Sequence, residues 1–202
     1  MPILRTSKAS PFGRKVVIAA DSLGLGDRIT IEAADTTNPA DSLRGQNPLG
    51  KIPVLILEDG ACIYDSRVIL EYLDHLAGGG RIIPTEPTAR FATLTRAALI
   101  DGLLDATLLC VYEGRFRPEE LRSAAWVDHQ MGKVERALAT LDAAAPSVPA
   151  TITVAEIGLA CALGYLDLRF AGAWRANYPA LVAFLDAFAA RVPAFAATRV
   201  EA

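Results

Sequence analysis

"NPLGKIPVLILEDGACIYDS", residues Asn47 to Ser66, carries three structural signals in a row. Pro53 opens the apolar run "IPVLIL", and a proline donates nothing to a strand ladder, so it belongs at a strand start or on an edge. Asp59-Gly60, between that run and "ACIY", is a tight-hairpin signal. Asp65-Ser66 then begins a helix whose apolar positions, Val68, Ile69, Tyr72, Leu73 and Leu76, recur at helical spacing. Strand, turn, strand and helix in this order predict one edge of a small mixed sheet.

Towards the N-terminus the same alternation continues. "PILRTS" reads as a short strand, and a helix follows through Val16, Val17, Ala20 and Leu23, closed by Gly24 and Gly26. "RITIEAA" reads as a second strand with Ile29 and Ile31 on one face. The predicted order is β-α-β-(loop/α)-β-β-α, an α/β unit over residues 1–77. "GGGRIIPTEPT" breaks all periodicity, which makes residues 78–87 a linker.

Beyond it, strand signals vanish and alanine becomes abundant. The spacing predicts helices over Thr88–Arg117, Pro118–Ala145, Thr153–Ala171 and Pro179–Ala190, an all-α domain over residues 88–202. Thr153 and Glu156 stand three apart before an apolar run, the pattern of a capping box. "IGLACALGYL" is too short and too closely flanked by Glu156 and Asp167 to cross a membrane, and reads as a buried helix.

Composition narrows the function. With 52% apolar residues the chain of 202 is no disordered segment, and a net charge of −3 argues against nucleic-acid binding. Cys62, Cys110 and Cys161 are far apart and form no C-x-x-C, while His75 and His129 lack an i, i+4 partner. No metal site is expected, and the thiols are expected to be reduced. No export signal is visible in "MPILRTSKAS", so a cytoplasmic location is the expectation.

Three pieces of the α/β unit carry chemistry together. Ser10, in "KASPFGRKV", stands before Pro11 at a helix start, where backbone N–H groups lack partners. A plain N-cap explains such a serine, and so does an anion site. A cis Ile52–Pro53 bond would turn the Ile52 backbone outward, free to pair with an extended peptide as an added strand. Ser66, at another helix start, offers N–H groups to a carboxylate. Two anion sites with strand-like pairing between them describe a pocket for a short acidic peptide bearing a thiol.

At these residues the chain resembles the glutathione S-transferases over essentially its whole length. "NPLGKIPVL" with Asp65-Ser66 resembles the family's glutathione-site signature, and "TITVAEIGLA" its helical-domain capping segment. "SPFGRKV" resembles the opening of bacterial transferases in which serine holds the activating position; glutaredoxins and omega-type relatives carry Cys-Pro-Phe/Tyr there. The resemblance implies a thioredoxin-like N-terminal domain plus an all-α helical bundle, glutathione as co-substrate with no metal, and a two-fold homodimer. It implies that Ser10 hydrogen-bonds the glutathione sulfur and that Ile52, beside cis-Pro53, pairs with the cysteinyl backbone. Asp65 and Ser66 would hold the γ-glutamyl ammonium and carboxylate, and Lys51 the glycyl carboxylate. Phe12, Arg96 and Tyr112 are candidates for the acceptor pocket, although Tyr112 also fits a core position.

The energetics of the serine close. A free thiol has a pKa of about 8.5, and running near neutrality takes about 2–3 kcal/mol of selective thiolate stabilisation. One hydroxyl bond to a charged group supplies about 1.5–3 kcal/mol, and the helix N-terminus adds about 0.3–1 kcal/mol. No general base is needed. Conjugation of the thiolate to a small electrophile, as in detoxification, is the reaction implied. An isomerase, dehalogenase or lyase on the same scaffold is the alternative within enzymology, and a non-catalytic binding protein the alternative outside it.

Overall fold

The computed structural model describes residues 1–200; Glu201 and Ala202, the end of the expected all-α domain, lie outside the described residues. Strand β1 (Ile3–Thr6) leads into helix α1 (Pro11–Ser22), and β2 (Thr30–Ala33) pairs parallel to β1. The short α2 (Leu43–Gln46) precedes β3 (Val54–Ile56), which runs antiparallel to both β1 and β4 (Cys62–Ile63). Helix α3 (Ser66–Leu76) completes this half, and the sheet order is β2-β1-β3-β4. The expected mixed sheet with helices is therefore present. Because β2 is an edge strand, Ile31 is 56% exposed while Ile29 packs against the core.

The hairpin between β3 and β4 is made as its sequence predicts, with one more loop residue than a two-residue turn. Gly60 N–H donates to the Leu57 carbonyl and Leu57 N–H to the Ala61 carbonyl, and Gly60 takes φ +86°. That is a type I turn followed by a left-handed glycine, the usual three-residue solution.

The helical half comprises α4 (Pro87–Phe116), α5 (Ala124–Ala143), α6 (Val154–Phe170), α7 (Pro179–Arg191) and the short α8 (Pro193–Ala197). Helix α5 starts later than the expected Pro118. Residues Glu119–Leu121 form a single 3-10 turn, and Ser123 caps α5 by accepting from Trp126 N–H. Helix α8 was not anticipated, because its five residues are too few for periodicity to register.

Helix α6 is the centre of the molecule, and twelve of its seventeen residues are buried. An all-round apolar helix must be enclosed. Its start is fixed by the capping box: Thr153 N–H donates to Glu156 Oε2 (2.9 Å), and Ala155 N–H donates to Thr153 Oγ1 (3.2 Å). Such a cap is worth about 1 kcal/mol. The stretch between the halves is held as well. Asp74 accepts from the N–H groups of Gly80, Arg81 and Ile82 at 2.7–2.8 Å, and Ile82 and Ile83 are buried.

Candidate active site

The turn from β1 into α1 places Ser10 at the end of the sheet. Ser10 N–H donates to the Ser7 carbonyl (3.0 Å), and its Oγ accepts from Gly13 N–H (3.2 Å) as the N-cap. Gly13 is required here. A Cβ at that position would lie 1.8 Å from Thr6 Oγ1, so only glycine lets the first turn of α1 close on β1. As an acceptor from the backbone, the Ser10 hydroxyl still has its proton to donate. The cap and the anion donor are thus compatible in one side chain.

A shallow cleft opens on Ser10. Its other walls come from α6 and the C-terminal segment: Cys161, Tyr165, Leu168 and Val200, with Lys8 and Arg14 from the α1 side. Arg14 crosses from α1 to α8, donating to the Phe195 carbonyl (2.5 Å) and Thr198 Oγ1 (3.1 Å). Its guanidinium stacks 4.1 Å over the Phe195 ring. Gly164 permits this, since a Cβ there would come 2.7 Å from Arg14 Nη1. Burial lowers the Arg14 pKa from its ordinary value, and it pushes the Cys161 thiol up to about 12. Cys161 therefore stays protonated at neutral pH and is no nucleophile.

In the loop before β3, the Ile52–Pro53 bond is cis, and the Ile52 N–H and carbonyl have no hydrogen-bond partner among the described residues. Asn47, itself buried, holds the preceding loop: its Nδ2 donates to the Lys51 carbonyl (2.9 Å), and its Oδ1 accepts from Leu49 N–H (3.0 Å). Lys51 is exposed. Asp65, not Ser66, is the N-cap of α3, accepting from Arg67 N–H (2.9 Å). Ser66 is the first residue inside α3; it is 2% exposed, and its hydroxyl has no partner among the described residues.

Behind these groups lies a buried ion pair that sequence reasoning missed. Lys15 Nζ of α1 meets Asp101 Oδ1 of α4 at 2.5 Å, and both residues are buried. Arg67 Nε lies 3.4 Å from Asp101 Oδ2 and 3.6 Å from Asp65 Oδ2. Asp65 is thereby connected to α4 through Arg67.

Of the three residues expected in an acceptor pocket, none lines the Ser10 cleft. Arg96 pairs with Glu156 (3.4 Å) at the start of α6, reinforcing the capping box. Phe12 is half-buried beneath the Lys15 ammonium, 5.4 Å from its ring centroid. Tyr112 packs edge-on against Phe116, with ring centroids 5.0 Å apart. The residues that do line it, Tyr165 and Leu168, sit at the end of "IGLACALGYL". A glycine and a tyrosine closing an otherwise apolar helix were the available signal: Gly164 for close approach and Tyr165 for a polar tip.

Among the described residues no group of three or more His, Cys, Asp or Glu could hold a metal ion, and no helix is long and apolar enough to cross a membrane.

Comparison with known proteins agrees with this fold. Residues 9–76 match the model of the glutathione S-transferase N-terminal domain, and residues 124–187 that of the C-terminal domain. An uncharacterised GST-like protein of Escherichia coli K12, YibF, is 34% identical over 186 residues, covering 89% of this chain and 90% of its own. A glutathione transferase family member from Pseudomonas fluorescens Pf-5, solved with bound glutathione, superposes with a TM-score of 0.92 at 40% identity and covers 100% of both chains. The same Pseudomonas protein was also solved with bound S-(propanoic acid)-glutathione (TM-score 0.88, 40% identity, 98% of this chain and 99% of that one).

Proposed function

The chain belongs to the glutathione S-transferase family, and from that premise we propose that it conjugates the glutathione thiolate to an electrophilic small molecule. One observation carries the reading. Three polar groups of the α/β half have bonding capacity that no group among the described residues takes up: the Ser10 hydroxyl as a donor, the Ile52 N–H and carbonyl, and the Ser66 hydroxyl. Each is free to bond a ligand, and the thiol, amide and carboxylate of one short peptide match them.

Glutathione supplies them. Its sulfur accepts from the Ser10 hydroxyl at the N-terminus of α1, its cysteinyl amide pairs with Ile52, and its γ-glutamyl carboxylate takes Ser66. Asp65 receives the ammonium, and Lys51 reaches the glycyl carboxylate. The sulfur then faces the cleft walled by Tyr165 and Leu168, where the acceptor binds. The thiol proton goes to solvent on ionisation, and the thiolate forms the new carbon–sulfur bond. That the Pseudomonas fluorescens relative was solved with bound S-(propanoic acid)-glutathione supports a site able to hold a glutathione conjugate. We extend the proposal to a cytoplasmic homodimer. The exposed apolar side chains Val68 of α3 and Phe91 of α4 (51% and 66% exposed) support a second copy covering that face.

The test is direct. The protein should be retained on immobilised glutathione and should conjugate a generic aryl halide. Ser10→Ala should lower kcat about 10–100-fold, the loss of one hydrogen bond to a charged sulfur. Ultraviolet titration of the bound thiol should show its pKa rise by about 1–2 units in the variant. An unchanged thiol pKa in Ser10→Ala, or no retention of the wild type, overturns the reading.

A further inference from the structure

We infer that the acceptor side of the cleft is built for an electrophile that carries a carboxylate, received by the Tyr165 hydroxyl and a cationic rim of Lys8 and Arg169. The inference rests on the transferase reading above and names the class of its second substrate.

The cleft lining contains Lys8 and Arg14 but no aspartate or glutamate. Tyr165, 4% exposed, presents the polar tip among the walls opposite Ser10. Arg169, one turn further along α6, places its guanidinium carbon 5.3 Å from the centroid of the Tyr165 ring. Lys8 and Arg169 have no ion-pair partner among the described residues.

The tyrosine remains a donor. Burial raises its pKa, while Arg169 and Arg115 pull the other way and Tyr112 adds to the rise, so at neutral pH the phenol keeps its proton. A protonated phenol beside an unpaired guanidinium is a receptor for an anion and a poor one for a cation. The rim is also out of keeping with the chain as a whole, whose net charge is −3. Local positive potential on an acidic protein concentrates anionic substrates at the cleft mouth.

The carboxylates of glutathione itself do not explain the rim. The groups proposed for them, Ser66 and Lys51, are absent from the lining of this cleft. With a carboxylate-bearing alkyl bromide the step balances simply. The thiolate attacks the carbon bearing bromine, a C–S bond forms, the C–Br bond breaks, and bromide leaves with the electron pair. The carboxylate takes no part in the bond changes; it is held by the rim and fixes the reacting carbon over the sulfur.

Two product conjugates of equal size, S-(2-carboxyethyl)glutathione and its amide S-(2-carbamoylethyl)glutathione, isolate the charge. Calorimetry on the wild type should find the acid bound about tenfold tighter than the amide, the effect of charge-assisted contacts. That ratio should shrink as salt is added. In Lys8→Gln/Arg169→Gln, two substitutions at exposed positions, it should fall towards one. Turnover of 3-bromopropanoate against 3-bromopropanamide, each relative to its uncatalysed rate, should move in parallel. Should glutathione and the amide bind while the acid gains nothing, or should the double variant keep the full preference, the inference fails and the transferase reading survives. Should neither conjugate nor glutathione bind, both fall.

Discussion

The groups proposed for glutathione and the far wall of the Ser10 cleft are made of different material. Towards Ile52 and Ser66, the polar groups offered are backbone or short hydroxyls, fixed by caps and turns: the N-cap bond from Gly13 to Ser10, the Asn47 clasp on Lys51, the Asp65 cap of α3. Towards α6, they are the ends of long side chains, Tyr165, Arg169 and Lys8, projecting from helix flanks and a turn. Backbone groups cannot be changed by substitution, whereas side chains can be exchanged, most freely at exposed positions such as Lys8 and Arg169. A constant tripeptide suits the first side, and an acceptor that differs between relatives suits the second.

The largest effect should come from the place where the two sides are joined. Asp101 of α4 is the buried partner of Lys15 on α1 and reaches Arg67 on α3. Asp101→Ala strands a buried ammonium, and removing one member of such a pair costs about 3–5 kcal/mol. Urea denaturation should show a correspondingly lower midpoint. Lys15→Met/Asp101→Leu should recover most of the loss, because packed apolar groups replace a buried pair at little cost. A single variant as stable as the wild type would mean that the halves are joined elsewhere.

Ser66→Ala comes next and separates the two sides functionally. It removes a hydroxyl that has no partner within the chain, so stability should change little. The KM for glutathione should rise about tenfold, and the KM for the acceptor should stay near its wild-type value. Equal shifts in both constants would show that the sides are not independent.

The same contrast explains what could be read before the structure was known. Pro53, Asp59-Gly60, Asp65-Ser66 and Thr153 with Glu156 act within a few residues of themselves, through a turn, a cap or a strand start. Their local chemistry therefore fixes their local geometry, and the hairpin, α3 and the start of α6 form where they indicate. Lys15 and Asp101 are 86 residues apart, and Arg14 and Phe195 are 181 apart. No periodicity or motif announces such meetings; packing of α1 against α4, α6 and α8 creates them. Arg96 and Glu156, 60 residues apart, meet in the same way. The spacing places the start of the second helix at Pro118, yet it is Ser123 that has the side chain to cap α5.

The smallest effect sharpens the comparison through pH. Asp105, one turn beyond Asp101 on α4, has its pKa raised by loss of hydration and by the Asp101 charge, against the pull of Arg67, Lys51 and Lys15. A carboxyl whose folded pKa lies above its unfolded one holds more protons in the native state across that interval. Stability therefore falls as pH rises from the ordinary carboxylate value through the raised one. Above the interval the ionised Asp105 is a net cost, and below it the group is protonated in both states and neutral in effect. Asp105→Asn should accordingly stabilise the protein at neutral pH by no more than about 0.5 kcal/mol, given solvent screening. The gain should vanish in acid. Thermal midpoints of the two proteins across the acid range test the sign: curves that converge at low pH support the assignment, while a constant offset would trace the effect to something other than the charge. Added glutathione should narrow the neutral-pH gap if its γ-glutamyl ammonium, bound at Asp65, lies close enough to offset the Asp101–Asp105 repulsion. A gap unaffected by glutathione would place the ammonium out of range of α4.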